Sequence, residues 1–245
     1  MQVEPRKEMM TEIEHINREK IWGLSFLICV CIGLVWAGIN LTQWMHDEQQ
    51  VPISHIEISG SYQYIQDRDI SRLISKDVQG SFFSADINEI HTAVLKHPWV
   101  HQVSVRKKWP NTIQVYLVEQ TPVAIWNDDL LLNSEGVPFA GDIQNDKLPT
   151  LFGPNGAEKT ALSGYKAMQM ILSTGTLTVD NLVLSERFAW QVQLSNGIKL
   201  NLGRQEFIDR LQRFINLYPL LQQDSRAINY VDLRYDTGAA VGWKV

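Results

Sequence analysis

The residues able to do chemistry in this 245-residue chain are few, and their spacing argues against a reactive centre. His97 and His101 stand four apart, the interval at which one helical face presents two metal ligands, but Pro98 between them breaks the helix that would align them. They read as surface or capping histidines. Asp128-Asp129 has the composition of a paired acid and base, yet adjacent acids between two strand-like runs mark a solvated turn. No histidine follows His101 and no cysteine follows Cys31, so the stretch from Pro122 onward holds no Ser-His or Cys-His pair of its own. Nothing has the spacing of a phosphate-cradling glycine loop. Catalysis, a metal and a cofactor are all unexpected.

Charge excludes another class. The chain carries 22 basic and 27 acidic residues, and beyond the first twenty positions 18 basic residues face 22 acidic ones. That balance offers no electrostatic footprint for nucleic acid. The most basic stretch, Arg106-Lys107-Lys108-Trp109, falls on a short strand, where charge guarding a sheet edge explains it better than a ligand site. A protein-docking surface is the third reading.

The elements that must position these residues start with Ile21 to Trp44, twenty-four residues without a charge. As a helix it would be about 36 Å long, enough for a hydrocarbon core of about 30 Å with some tilt. It is expected to span a membrane. A secretory signal peptide would have a shorter apolar region and a small-residue cleavage site, and Trp36-Ala37-Gly38-Ile39 is a poor one. Trp22, Trp36 and Trp44 near interfacial depth argue against a buried core helix. Arg6, Lys7, Arg18 and Lys20 precede the span and no Lys or Arg follows until Arg68, so the N-terminus is expected inside and the rest outside. Cys29 and Cys31 both lie in the span, which leaves the outer region without a disulfide framework.

In order, residues 1–20 read as a flexible cytoplasmic tail, 21–44 as the transmembrane helix and 45–52, polar and ending in proline, as a tether. From Ile53 the signals run strand, helix, helix, strand, strand. Ile56 and Ile58 alternate with polar residues up to Gly60. Ile70, Leu73, Ile74 and Val78 share one helical face behind Asp67 and Asp69. Asp86-Ile87-Asn88-Glu89 has the form of a capping box, with Ile87, Ile90 and Val94 on the buried side and Pro98 as the stop. Val103 and Val105, then Ile113, Val115 and Leu117, alternate as the arms of a hairpin turned by Trp109-Pro110-Asn111-Thr112. Two helices cover one face of such a sheet, so the other face and one edge stay open.

The stretch 122–245 reads as mostly strand with two helices. Glu135-Gly136 and Asn196-Gly197 mark tight turns, the second between the alternating runs Trp190 to Leu194 and Ile198 to Leu202. Leu162, Tyr165, Met168 and Leu172 make one helical face; Phe207, Leu211, Phe214 and Tyr218 make another, which Pro219 should stop. A final strand ends at Trp243 and, arriving last, is expected at an edge.

Several of these segments resemble one family. Pro98-Trp99-Val100, Val103 through Lys107, Trp109-Pro110, and Val118 through Asn127 are similar to the POTRA domain and its junction in the FtsQ/DivIB cell-division proteins. So are Leu148-Pro149, Leu151 through Pro154, Lys199 through Arg204, Leu217-Tyr218-Pro219 and Tyr230 through Asp236. The resemblance implies an α+β protein: one N-terminal transmembrane helix, a POTRA domain (β-α-α-β-β) over 53–121, and a mostly antiparallel β domain with two helices over 122–245. It further implies a non-enzymatic bitopic scaffold of the inner membrane at the division septum, with its C-terminal domains in the periplasm. Its partners would be FtsB and FtsL at the β-domain edge strand, and the septal synthase pair FtsW and FtsI. The family's FtsB-binding stretch corresponds to Tyr235 through Trp243, naming Tyr235, Thr237, Gly238, Ala239, Val241 and Trp243, with Arg187 matching a contacting arginine. Thr237 stands where the best-known relative has serine. Val105 and Lys107 would belong to a docking surface on the POTRA domain. The competing classes are a POTRA-bearing secretion or outer-membrane assembly component, which should carry a β-barrel or repeated POTRA units, and a cell-wall enzyme, which lacks its catalytic constellation.

Overall fold

The structure is a computed structural model describing residues 5–47, 52–77, 81–142, 148–173 and 175–244, with side chains described except at 5–21 and 77. Val78 and part of the expected tether, residues 48–51, lie outside the described residues. Two compact units are present. One comprises Met1–Gly60, Gln66–Val94 and Val103–Leu117; the other comprises Ser61–Ile65, Leu95–Gln102 and Val118–Val245.

Helix α1 runs Pro5–His46, and its segment Trp22–His46 is apolar and long enough to cross a membrane. The helix begins at Pro5, well upstream of the apolar stretch. Glu, Lys, Arg and Met dominate that part of the sequence, and all are strong helix formers.

The first unit then builds a three-stranded sheet in the order β1-β3-β2, from β1 (His55–Ser61), β2 (Val100–Lys108) and β3 (Thr112–Glu119). Helices α2 (Asp67–Asp77) and α3 (Ile87–Leu95) supply its apolar cover. Ile113, Val115 and Leu117 point from the central strand into a core shared with Ile70, Ile74, Ile90 and Val94, and none is more than 1% exposed. Burying each such side chain contributes about 1.5–3 kcal/mol. Asp86 caps α3 by accepting a hydrogen bond from the Asn88 amide at 2.7 Å. Gly60 has a φ of +144°, and a Cβ there would overlap the Leu117 carbonyl, so only glycine lets β1 approach β3 at this point. On the opposite, open face Glu57 accepts hydrogen bonds from Lys108 Nζ (2.9 Å) and Gln114 Nε2 (3.0 Å), and Gln114 in turn accepts from Arg106 Nε (2.7 Å).

The second unit is a nine-stranded mixed sheet with two helices. Its strands are β4 (Pro122–Trp126), β5 (Leu130–Asn133), β6 (Pro138–Phe139), β7 (Thr150–Phe152), β8 (Val179–Leu184), β9 (Trp190–Leu194), β10 (Lys199–Gly203), β11 (Ile228–Asp232) and β12 (Ala240–Trp243). They lie in the order β12-β11-β10-β9-β8-β7-β4-β5-β6. The β4–β7, β7–β8 and β10–β11 pairs are parallel and the others antiparallel. Helices α4 (Glu158–Leu172) and α5 (Phe207–Leu221) contribute Leu162, Met168, Leu172, Leu211 and Phe214 to a core with Trp126, Leu151, Leu182, Leu200 and Val231. Pro219 does not stop α5, which continues to Leu221. Its missing amide falls in the last turn, and Gln222 still donates to the Tyr218 carbonyl at 3.0 Å, so the ring only spares one bond near the end.

Two segments that precede residue 118 belong to this second unit. Trp99 lies between Tyr64, stacked at 4.6 Å between centroids, and Phe139, edge-on at 5.3 Å. Glu119 accepts from three successive amides, Gln63 (2.7 Å), Tyr64 (2.8 Å) and Ile65 (2.7 Å).

A candidate partner site on the C-terminal edge strand

The period of two in Val241 and Trp243, alternating with Ala240 and Gly242, makes a strand whose alternate side chains face opposite ways. In the structure β12 pairs antiparallel with β11 through Tyr230↔Gly242, Val231↔Val241 and Asp232↔Ala240, and ends the sheet. An end strand presents one row of amides and carbonyls away from its neighbour, the template for strand addition. Ala239, Val241 and Trp243 pack partly against the core, while Gly242 faces the other side beneath the Tyr230 ring.

The connection from β11 to β12 is exposed from Arg234 to Gly238, and Tyr235 on it is 55% exposed. Its start is held by Asp232, almost buried, whose carboxylate accepts from Arg234 Nε at 2.9 Å and Nη2 at 2.6 Å. That pairing holds the Asp232 carboxyl below its ordinary pKa and raises that of Arg234. Its end turns at Gly238, with φ +78°. Arg213 of α5 reaches both halves: Nη1 donates to the Tyr235 carbonyl at 2.8 Å and to the Gly238 carbonyl at 3.1 Å. At the far end of the strand the Arg226 guanidinium sits 4.4 Å from the Trp243 ring centroid and is oriented by Asp224 through bonds of 3.0 and 2.7 Å. The Arg226 hydrogen bonds lower the Asp224 pKa to about 2.

Tyr235, Thr237, Gly238, Ala239, Val241 and Trp243 are thus contiguous, on one edge strand and the loop before it. Arg187 is not beside them. It is exposed in the turn between β8 and β9, and the chain of partners Leu184↔Trp190, Trp190↔Gly203, Asn201↔Asp232 and Asp232↔Ala240 puts that turn at the same end of the sheet as the start of β12. Three strand spacings separate β9 from β12, about 14 Å. A single extended partner could reach from one to the other.

Val105 and Lys107 lie on β2, an edge strand of the smaller sheet, on its half-buried side. Lys107 is engaged there: Nζ donates to the Phe83 carbonyl at 2.8 Å and lies 5.6 Å from the Phe82 ring centroid, and burial lowers its pKa against the pull of Asp86. Gln102, Ser104, Arg106 and Lys108 are the exposed residues of that strand. His97 accepts from the Trp99 amide at 3.3 Å, and His101 Nε2 lies 3.9 Å from Glu135. Asp128 and Asp129 occupy an exposed turn.

Sequence reasoning missed Arg213, Arg226, Tyr230 and the Asp232–Arg234 pair. Only the last carried a signal, an acid and a base two residues apart after a strand; the others act across 12 to 25 positions, from Tyr230 against Gly242 to the Arg213 bond to Gly238.

Among the described residues, one helix long and apolar enough to cross a membrane precedes a POTRA-like module and a β unit with an open terminal edge, an order compatible with a single-pass membrane protein. Residues 51–120 match the POTRA domain of FtsQ type, and residues 124–234 match the family described as cell division protein FtsQ/DivIB, C-terminal. The chain is 44% identical over 231 residues to the cell division protein FtsQ of Aliivibrio fischeri, covering 93% of this chain and 90% of the relative. It is 39% identical over 236 residues to that of Escherichia coli (93% and 86%) and 40% identical over 227 residues to that of Vibrio cholerae (90% and 86%). The chain belongs to the FtsQ/DivIB family of cell-division proteins.

Proposed function

We propose that this protein is a non-enzymatic scaffold of the division machinery that captures an extended segment of FtsB by strand addition at β12. Its N-terminus is cytoplasmic and its POTRA domain (53–121) and β domain (122–245) are periplasmic, so that contacts with FtsB, FtsL, FtsW and FtsI gather at the septum. The observation that carries the reading is a sheet edge, unpaired among the described residues and preceded by an exposed loop tyrosine, Tyr235, directly after the stretch 124–234 that matches the family. Main-chain bonds along β12 would supply affinity, and Tyr235, Thr237, Gly238, Ala239, Val241, Trp243 and Arg187 would choose the segment. Val105 and Lys107, with the open POTRA edge beside them, form a second docking surface for other division proteins.

Titrating the purified periplasmic region with a synthetic peptide of the FtsB C-terminal segment tests this. Tyr235→Ala should weaken binding by about 2 kcal/mol, roughly thirtyfold, as loss of a central aromatic anchor commonly does. Unchanged affinity in a variant that melts normally would move the site elsewhere.

A further inference from the structure

We infer that Arg213 is a positioning residue for the partner edge, a role that rests on the strand-addition reading above. β12 is only four residues long and has a neighbour on one side, so its own ladder is a weak guide to where it begins. Packing does not fix the approach either: Arg234 through Gly238 are exposed, and a Cβ at Gly238 would meet no atom within 4 Å. Arg213 supplies what packing lacks. Both hydrogens of one guanidinium nitrogen are used, one on each side of the turn, so the Tyr235 and Gly238 carbonyls are drawn to a single point.

That point is firm because the helix carrying it is firm. Arg213 is flanked by Leu211 and Phe214, both fully buried, and one turn earlier Arg210 Nη1 donates to the Leu202 carbonyl at 2.7 Å. A clasp mounted on a rigid element pre-sets the loop, directs Tyr235 outward and fixes the first residue of β12. A partner strand then binds without first ordering the loop, and the saving appears as affinity.

The test compares wild type, Arg213→Met, which keeps the aliphatic stem but no donor, and Arg213→Lys, which keeps a multiply donating cation on a shorter reach. Amide exchange across 235–241, thermal melting and affinity for the same FtsB peptide are measured on the whole periplasmic region. The methionine variant should exchange at least tenfold faster in 235–241, keep the protection of Leu200 and Val231, and bind the peptide about tenfold more weakly. Lysine should restore part of both. Unchanged exchange at 235–241 would overturn the clasp, and faster exchange with unchanged affinity would overturn its role at the partner site. Should wild type fail to bind the peptide while Arg213→Met still loosens the loop, the clasp stands and the strand-addition reading falls.

Discussion

The ring of Tyr230 lies across Gly242, its cross-strand partner, in the space that a side chain at 242 would occupy. The glycine leaves an edge strand without packing at its midpoint, and the aromatic neighbour provides it, the rescue by which sheets tolerate a glycine near an edge. Gly242→Ala should therefore push the ring aside and destabilise the unit by about 1 kcal/mol or more. Tyr230→Ala should relieve that clash, so the double variant should be more stable than the two single losses predict. Urea denaturation of the four proteins gives the coupling; strict additivity would refute the contact.

Glu119 is a carboxylate surrounded by three amides of residues 63–65, spending both oxygens on backbone that has no strand partner there. Removing it leaves three donors, of which Ile65 is almost buried. Glu119→Ala should cost about 3 kcal/mol, because bonds to a charged acceptor are among the stronger ones and one orphaned amide is out of reach of water. Glu119→Gln keeps one acceptor oxygen and should cost about half as much. An alanine variant within about 0.5 kcal/mol of wild type in urea would show that the clasp adds nothing.

These two contacts mark what the sequence could and could not reveal. Ile113, Val115 and Leu117, or Leu211 and Phe214, announce themselves because the buried face repeats every two or 3.6 residues, and the repeat is local. The edge position of β12 followed from its coming last, and the POTRA order from five periodic segments. Glu119 meeting residues 54 to 56 positions upstream, or Arg213 meeting Gly238, has no periodic trace: one polar residue finds backbone supplied by a distant turn. Pro219 misled for the opposite reason, since its local rule is sound in a helix interior and lapses in the last turn. The candidate site was legible only as a stretch, and Arg187 only through resemblance, because the geometry linking a β8–β9 turn to β12 runs through four strands.

Acid should loosen the start of the partner loop. The Arg234 hydrogen bond, opposed by burial, holds the Asp232 pKa below its unfolded value, so the pair's stabilisation is complete above the unfolded carboxylate pKa and is lost as pH falls through the folded one. Stability should be flat from neutral pH to about pH 4 in this respect and fall below it. Asp232→Asn should be less stable than wild type at neutral pH, with the difference narrowing under acid. Urea midpoints of both proteins across that range decide it, and a gap that stays constant at about pH 2.5 would exclude Asp232 as the titrating group.

Tyr235 and Trp243 should fail in different ways, although both are large aromatics of the kind that anchor interfaces. Tyr235 is 55% exposed on a loop whose carbonyls, not its ring, tie it down. Trp243 is half-buried, packs against the core and carries the Arg226 guanidinium on its face. Truncating Tyr235 removes surface only a partner can use, whereas truncating Trp243 also removes packing that holds β12 on the sheet. Trp243→Ala should therefore lower both the melting temperature and affinity for the FtsB peptide, and Tyr235→Ala the affinity alone. Arg226→Met isolates the cation on the ring: its loss should lower the urea midpoint measurably in the wild type and leave it unchanged in a Trp243→Leu background. A cost that survives in the leucine background would assign the effect to the Asp224 pair instead. If Trp243→Ala melts like wild type while losing the peptide, the tryptophan is an anchor in the same sense as Tyr235, and the packing of β12 rests on Val241 and Tyr230.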